Sequence, residues 1–186
     1  IYTIAYTLSL HRRSSDLKTY GEFHEKLIDW RDRGLLEWDE YKFMHVTHPR
    51  MPVLYFLPKI HKNSVNPPGR PIVSSIGSLL EHVSEYIDHF LSPFVIALPS
   101  YVRDTKDFLG KIDSIYWEED MLLIGLDVVS LYTSIRHDDG IAAVQHFLKA
   151  RSLNLYHHTE MLVSLISYCM NNNYFLFHNQ YYHQLR

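Results

Sequence analysis

Apolar side chains recur with a helical period near the start of the chain. Thr19-x-x-Glu22 has the pattern of a capping box, in which a hydroxyl and a carboxylate satisfy the first free amides of a helix. Gly34 is a typical residue for the end of a helix. The apolar residues on one face of this predicted helix are Phe23, Leu27 and Trp30. The pattern predicts a helix from Thr19 to about Gly34.

Five further helices follow from the same period along the chain. They are predicted at 37–44, from Ser78, at 104–112, from Asp138 and from Thr159. Ser78, Asp138 and Thr159 are expected to cap their helices. The side chains expected to face the core are Leu80, Val83, Ile87, Phe90 or Leu91, Phe94, Ile141, Val144, Leu148, Leu162, Leu165, Ile166 and Cys169.

Two places have the pattern of a β-hairpin. Residues 53–57 and 70–74 form one pair of strand-like runs, and the basic loop between them contains the turn sequence Asn66-Pro67-Pro68-Gly69. Residues 174–177 and 181–184 form the other pair and flank a three-residue turn. Helices and strands thus alternate irregularly. The predicted fold class is α+β rather than a doubly wound sheet.

The stretch LIGLDVVSLYTSI, residues 123–135, has the composition of a strand that is buried on both faces. Asp127 lies in its centre, and the sequence contains no Lys or Arg between Lys111 and Arg136. An unpaired carboxylate in such a strand would lose its hydration. The pattern predicts that Asp127 meets a partner at the end of that strand.

Composition narrows the class of protein. The chain is 46% hydrophobic and 21% charged, which is enough apolar material for one globular core. The single cysteine, Cys169, excludes an internal disulfide and favours a reducing compartment, so an intracellular location, nuclear or cytoplasmic, is expected. The stretch 1–10 is short and has no basic leader, so neither a signal peptide nor a membrane span is predicted. Because the chain begins at Ile1, we expect it to be a piece of a longer product.

Charge is distributed unevenly along the chain. Residues 41–80 contain five cations and no acid, whereas all 21 acidic residues lie elsewhere. The five cations are Lys42, Arg50, Lys59, Lys62 and Arg70. This segment is expected to create a local positive field that attracts anions.

Two groups of residues have candidate chemistry. Lys59, Lys62 and Arg70 lie at the basic hairpin, where a guanidinium and ammonium groups on adjacent strands can bind the oxygens of a triphosphate. The alternative is a solvated tip that happens to be basic. Asp127 can bind Mg²⁺, which prefers hard oxygen ligands. The alternative for Asp127 is a carboxylate that backbone amides satisfy.

Taken together and in order, several blocks of the sequence resemble a known family. LPKIHK, GRPIVS and, further along, LDVVSLYTSI resemble the fingers and the first palm motif of reverse transcriptases, specifically those of Penelope-like elements. The likeness extends over 37–186 and includes SYVRDTKDFL, His137-x-x-Gly140 and NYFLFHNQYYHQLR. It implies part of a right-hand polymerase fold, with fingers at 37–120, the start of the palm at 121–186, and 1–36 as an N-terminal extension.

The resemblance also implies a role for individual residues. Asp127 matches the aspartate that holds both catalytic Mg²⁺ ions, and the backbone carbonyl of Val128 would be a further ligand. Tyr132 matches the position under the incoming sugar, where an aromatic ring excludes a ribose 2′-hydroxyl. Arg70, with Lys59 or Lys62, matches the cations that bind the triphosphate of a dNTP. The partners implied are an RNA template, a DNA primer and dNTP, without a membrane.

The chain departs from the family pattern at two points. Arg136 stands where the family usually has proline. The family's aromatic-x-Asp-Asp hairpin, which carries the remaining metal carboxylate, follows in relatives and is absent here, so the chain alone is expected to be inactive. Asp138-Asp139 is not that hairpin, because it opens a predicted helix.

Other functions stay open at this point. A non-catalytic nucleic-acid-binding or interaction remnant of a retroelement would keep the basic hairpin without the chemistry. An unrelated α+β phosphate-binding domain would have Lys59, Arg70 and Asp127 far apart. Zinc is not expected, because His45-x-x-His48 and His157-His158 lack cysteine partners and an HExxH helix.

Overall fold

The computed structural model describes residues 8–10, 13–128, 131–151 and 156–184, and side chains over 18–128, at 131, over 134–150 and over 158–184. The described residues form seven helices: α1 (Arg13–Asp32), α2 (Trp38–Met44), α3 (Glu81–Ile96), α4 (Thr105–Asp113), α5 (Leu131–Ser134), α6 (His137–Arg151) and α7 (Tyr156–Asn171). They also form five strands: β1 (Leu8–Leu10), β2 (Val53–Pro58), β3 (Gly69–Ser74), β4 (Tyr174–Phe177) and β5 (Gln180–Gln184). The fold is mixed α+β, and the right-hand polymerase architecture stays a prediction.

One mixed sheet joins both predicted hairpins, in the strand order β1-β5-β4-β2-β3. Strands β2 and β3 pair antiparallel from Val53 opposite Ser74 to Pro58 opposite Gly69. Strand β4 joins β2 in parallel, with Leu176 opposite Val53, and pairs antiparallel with β5. The turn between β4 and β5 has positive φ at two consecutive residues, as a tight two-residue hairpin turn requires. Both predicted hairpins are therefore confirmed.

The helices form the hydrophobic core. Helices α1, α2, α3, α6 and α7 all contribute to one buried cluster. Its buried members are Phe23, Leu27, Trp30, Leu36, Tyr41, Met44, Val83, Tyr86, Ile87, Leu148, Met161, Leu162, Leu165 and Ile166. Most of the predicted inward-facing residues belong to this cluster or pack against it, as the helical period requires. Helix α1 packs into the same core as the later helices.

The predicted starts of several helices are wrong. Thr19 lies inside α1, which begins at Arg13, and Thr159 lies buried inside α7, which begins at Tyr156. Asp138 lies in the first turn of α6 rather than at its cap. Short capping patterns also occur inside helices, and tertiary packing extends α1 and α7 beyond them. The helix predicted at 104–112 is confirmed as α4, and the Asp104 carboxylate caps it by accepting a 2.8 Å hydrogen bond from the Asp107 amide.

The start of α3 also differs from the predicted start at Ser78. The helix begins at Glu81, and the Ser78 side chain does not cap it. The Glu81 carboxylate instead accepts a 2.6 Å hydrogen bond from the Gly77 amide. Gly77 has a φ of +74°, which a residue with a side chain rarely adopts, so the chain turns sharply there. Ser78 is thereby left buried behind the turn.

The prediction of a buried strand at 123–135 is wrong within the residues that the structure describes. Residues 121–128 have no regular secondary structure and are exposed, and 131–134 form helix α5. Leu126 is 94% exposed. A strand depends on neighbouring strands for its backbone hydrogen bonds, and no described strand lies beside this segment. β-propensity alone does not form a strand.

Candidate functional site

The three predicted cations lie at one end of the hairpin that β2 and β3 form. Arg70 is paired with Leu57 near the last rung of the ladder. The chain then continues into the tip, where the amide of Lys59 donates a 2.8 Å hydrogen bond to the carbonyl of Pro68. The amide of Lys62 donates to the carbonyl of Lys59 at 3.0 Å. Backbone hydrogen bonds thus bring Lys59, Lys62 and Arg70 together.

Asn63 shapes the tip of the hairpin. Its side-chain oxygen accepts hydrogen bonds from the amides of Val65 and Asn66, each at 2.9 Å. This is the arrangement by which an Asn side chain holds a turn in place of a backbone carbonyl. The sequence analysis missed this residue, although its signal, an Asn that opens a run of turn-forming residues, is visible in NSVNPPG.

A contact between two rings anchors the hairpin to the rest of the sheet. The ring of Phe56 meets that of Phe177 edge to face, with centroids 5.8 Å apart. The same ring covers Gly69, where an added Cβ would lie 3.0 Å from Phe56 Cδ1. The lack of a side chain at Gly69 therefore lets the Phe56 ring pack close to the backbone immediately before Arg70. The last rungs of the ladder depend on this small residue.

The hairpin cations make no ion pair with any residue that the structure describes. Lys62 and Arg70 are exposed and Lys59 is partly exposed. Within the described residues, no acidic side chain lies within 4.0 Å of these three, and their side chains make no hydrogen bond. Lys42, in contrast, pairs with Asp39 at 2.8 Å. Unpaired charges on neighbouring segments add their fields, so an anion is the natural partner of this end of the hairpin.

The same face of the sheet carries an aromatic ring beside the cations. Residues directly opposite in an antiparallel pair share a face, and so do residues two apart on one strand. Leu57 lies opposite Arg70, so Tyr55, two residues before Leu57, lies on the face of Arg70. Tyr55 is 43% exposed. A ring next to a cation can stack on a base while the cation binds its phosphate. The sequence analysis did not single out Tyr55, though its two-residue spacing from Leu57 indicates the shared face.

Asp127 is exposed and lies in the irregular segment 121–128. Its side chain makes no hydrogen bond or ion pair with any residue that the structure describes. Among the described residues, Asp127 therefore has neither the backbone amides that the alternative supposed nor a hairpin cation as a partner. The expectation that Asp127 meets a partner at the end of a buried strand is wrong for the described part of the chain.

The implied magnesium ligands fit the ion only in part. The carboxylate of Asp127 and the carbonyl of Val128 are hard oxygen donors of the kind that Mg²⁺ accepts. The described residues contain no group of three or more His, Cys, Asp or Glu side chains placed to hold a metal ion. The side chain of Tyr132 lies outside the described part of the structure. Asp127 and Val128 can thus supply two positions of an octahedral site and leave the others to substrate oxygens or water.

His45, which forms part of the His45-x-x-His48 pattern, lies against His24. The two rings lie 4.4 Å apart between α1 and the end of α2, and Tyr41 stacks on His45 at 5.5 Å. Burial lowers the pKa of His45, and the neighbouring His24 lowers it further. The sequence analysis missed His24, because the pairing joins residues on two helices and has no local signal.

Comparison with known proteins names no family for the chain. It matches no protein-family model, no curated protein and no solved structure. Among the described residues, no helix is long and apolar enough to cross a membrane. Function is therefore inferred from the sequence blocks described above and from the geometry of the hairpin.

Proposed function

We propose that this chain is a segment of an RNA-directed DNA polymerase similar to the reverse transcriptases of Penelope-like elements. One observation carries the proposal: Lys59, Lys62 and Arg70 lie at one end of the antiparallel hairpin of β2 and β3, partly or fully exposed and without an ion pair to any described residue. The order of the sequence blocks supports it. The partners proposed are dNTP, an RNA template and a DNA primer, in an intracellular setting.

In this proposal the hairpin binds the triphosphate of the incoming nucleotide. The planar guanidinium of Arg70 is suited to two parallel hydrogen bonds with phosphate oxygens. Lys59 and Lys62 add point charges that adapt to the position of the phosphates. All three neutralise charge on the nucleotide, which both positions it and stabilises charge that develops during transfer.

Asp127 and the carbonyl of Val128 would hold magnesium in the complete enzyme, and Tyr132 would lie under the sugar. When bound, Mg²⁺ supplies Lewis-acid stabilisation of the attacking and leaving oxygens. The exposed position of Asp127 leaves its carboxylate accessible to such an ion. The residues of this chain would bind and orient the nucleotide.

Nucleotide binding tests the proposed role of the hairpin. In a calorimetric titration with dTTP and Mg²⁺, we expect Arg70→Ala to weaken binding by about 2 kcal/mol, the effect of a lost charged hydrogen bond. Arg103→Ala is a matched control, because Arg103 is an exposed arginine paired with Asp104 at 3.1 Å. If Arg70→Ala and Arg103→Ala bind dTTP with the affinity of the unaltered chain, Arg70 does not belong to the site.

A second candidate function is supported by the isolation of Asp127. The hairpin cations need no metal to bind an anion, whereas Asp127 belongs to no group of three or more potential metal ligands among the described residues. A non-catalytic module that binds single-stranded nucleic acid would use Tyr55 and the cations alone. It would bind RNA in the presence of a chelator. The slope of the logarithm of the binding constant against the logarithm of the salt concentration should become shallower by about 0.7 for each phosphate contact removed, for example by Lys62→Ala.

Two assays separate the candidates. The nucleic-acid-binding module predicts RNA binding that survives both chelation and Asp127→Asn. The chain by itself is predicted to incorporate no dNTP, because Asp127 lacks its companion carboxylate. Template-dependent incorporation of dNTP by the purified chain would contradict that prediction. It would favour the polymerase over the binding module.

A further inference from the structure

A cavity of about 410 Å³ lies apart from the hairpin cations. Its walls come from α1, the loop 47–52, the turn before α3, and β4 and β5 with the chain just before them. The volume falls within the range of about 300–1,000 Å³ that is typical of small-molecule sites. Neither the hairpin cations nor Asp127 lines it. The cavity is therefore a separate place at which a ligand could bind.

A buried hydroxyl marks one wall of the cavity. Ser78 is only 2% exposed, and its Oγ has no hydrogen-bond partner among the described residues. Ser78 lines this cavity and a neighbouring one of about 400 Å³. Buried hydroxyls are nearly always paired, because a buried polar atom without a partner is costly. A polar ligand atom at this wall would give the hydroxyl its partner.

A cation lies beside that hydroxyl. The amide of Arg50 donates a 2.7 Å hydrogen bond to the carbonyl of Gly77, the residue before Ser78. The aliphatic stem of Arg50 also lies against Gly77, since a Cβ added there would be 3.0 Å from Arg50 Cδ. Arg50 has no ion pair among the described residues, and no acidic residue lines the cavity. The Glu81 carboxylate accepts a 2.6 Å hydrogen bond from the Gly77 amide, close to Arg50, but it does not line the cavity.

The remaining walls are aromatic and apolar. Tyr20, Tyr174 and Tyr181 line the cavity together with leucine, methionine and proline side chains. The hydroxyl of Tyr20 donates a 2.9 Å hydrogen bond to the carbonyl of Val46, which fixes that ring at the wall. Flat rings and a cation without an ion pair among the described residues suit a ligand that has an aromatic part and an acidic part.

We propose that this cavity binds an aromatic anion of mononucleotide size. Arg50 pairs with the acidic group, the Ser78 hydroxyl bonds a polar atom of the ligand, and the tyrosines pack on the aromatic ring. The proposal is independent of the hairpin, because the two sites share no residue. It does not require the chain to be a polymerase.

Calorimetric titration of the full chain with three probes tests the proposal. AMP carries both parts, adenosine lacks the acid, and inorganic phosphate lacks the ring, so AMP should bind most tightly. We expect Arg50→Met to weaken AMP binding about 10-fold or more, the effect of a lost charged hydrogen bond, and to leave adenosine nearly unchanged. Ser78→Ala should weaken AMP about 3- to 10-fold.

Two control measurements accompany the AMP titration. Arg33→Met removes an exposed arginine that pairs with Asp29 on α1 and should leave AMP binding unchanged. Ser78→Ala removes a buried hydroxyl that has no partner in the described residues, so the variant without ligand should melt at the same or a higher temperature. No saturable binding at millimolar AMP would overturn the proposal. So would an AMP affinity that neither Arg50→Met nor Ser78→Ala changes.

Discussion

Strand β2 and the segment 121–128 are both rich in exposed apolar side chains, yet only β2 has regular structure. Val53 and Leu57 on β2 are 46% and 47% exposed, whereas Leu122 and Leu126 are 82% and 94% exposed. Strand β3 pairs with β2 along its whole length, and β4 pairs with it at Val53. The segment lies beside no described strand. Pairing of the backbone, rather than apolar content, therefore decides which of the two is ordered.

The same difference separates the two halves of the candidate site. The hairpin cations are held by a ladder that forms within residues 53–74, close together in sequence. Asp127 has no partner among the described residues, and contacts between residues distant in sequence carry a cost of loop closure. The proposed anion-binding half of the site is thus formed by neighbouring residues, whereas the proposed metal ligand Asp127 gains no such local support. The proposals above depend on these halves to different degrees.

The largest expected effect compares one truncation in the core with the same truncation in the segment. Leu165 is 0% exposed on α7, and Leu126 is 94% exposed. Leu165→Ala should lower the free energy of unfolding by about 2–5 kcal/mol, because it removes buried methyl groups and leaves a cavity. Leu126→Ala should change it by less than about 0.5 kcal/mol. Urea denaturation of both variants measures the two values.

Surface substitutions usually change the free energy of unfolding by about 0.5 kcal/mol or less. A decrease of more than about 1 kcal/mol in Leu126→Ala would therefore contradict the comparison. It would mean that segment 121–128 packs in the folded state. Leu123→Ala, at a position 68% exposed, is the second variant to make, because it should behave as Leu126→Ala does.

The next effect concerns the hairpin itself. Gly69→Ala should destabilise the chain by about 1 kcal/mol or more, because the new Cβ would lie 3.0 Å from the Phe56 ring and force it to move. Gly110→Ala is the matched control inside α4, where nothing lies within 4 Å of an added Cβ. That variant should gain about 0.5–1 kcal/mol from helix propensity. Chemical denaturation then gives two changes of opposite sign.

Equal signs for the two glycine variants would contradict the packing of Phe56 over Gly69. Nucleotide binding sharpens the test, since displacement of the ring should disturb Arg70 at the next position. We expect Gly69→Ala to weaken dTTP binding and Gly110→Ala to leave it unchanged.

Local patterns predicted the elements whose partners lie nearby. The face of α1, the helix at 104–112 and both hairpins follow from short-range rules of period and turn chemistry. The strand at 123–135 was predicted from composition alone, and composition does not specify which neighbour pairs with it. The boundary between an extension at 1–36 and the rest stays a prediction, although α1 packs into the common core.

The candidate site shows the same limit. Lys59, Lys62 and Arg70 were predictable, because a hairpin places them together whatever the rest of the chain does. Ser78 was predicted as a helix cap, and its burial beside Arg50 depends on the turn at Gly77, whose positive φ the sequence does not state. The pair of His24 and His45 joins two helices and has no local pattern. Contacts between distant elements have no local pattern in the sequence, so they could not be predicted.

A smaller effect is expected in the pH dependence of the free energy of unfolding, where a histidine between α1 and α2 is compared with one in the hairpin. The pKa of His45 in the folded chain lies below its ordinary value of 6.5, chiefly because of burial. As the pH falls below about 6.5, the unfolded chain binds the proton first, so the free energy of unfolding decreases until the lower, folded pKa is passed. Urea denaturation at several pH values measures this slope.

His45→Gln should flatten that slope, and His24→Gln should reduce it by the smaller, electrostatic part. His61, in the tip of the hairpin, is exposed, so His61→Gln is a matched control that should leave the slope unchanged. A slope that survives His45→Gln would assign the pH dependence to another group.

The smallest expected effect is that of Asp127→Asn. Because the carboxylate is exposed and without a partner in the described residues, its removal should change the free energy of unfolding by less than about 0.5 kcal/mol. Binding of single-stranded RNA at the hairpin should be unchanged or slightly tighter, since one negative charge is lost. A thermal melt with and without Mg²⁺ gives the decisive comparison. If Mg²⁺ raises the melting temperature of the unaltered chain but not of Asp127→Asn, the carboxylate binds metal without its predicted strand, and the two halves of the site are less different than the hairpin and the segment 121–128 indicate.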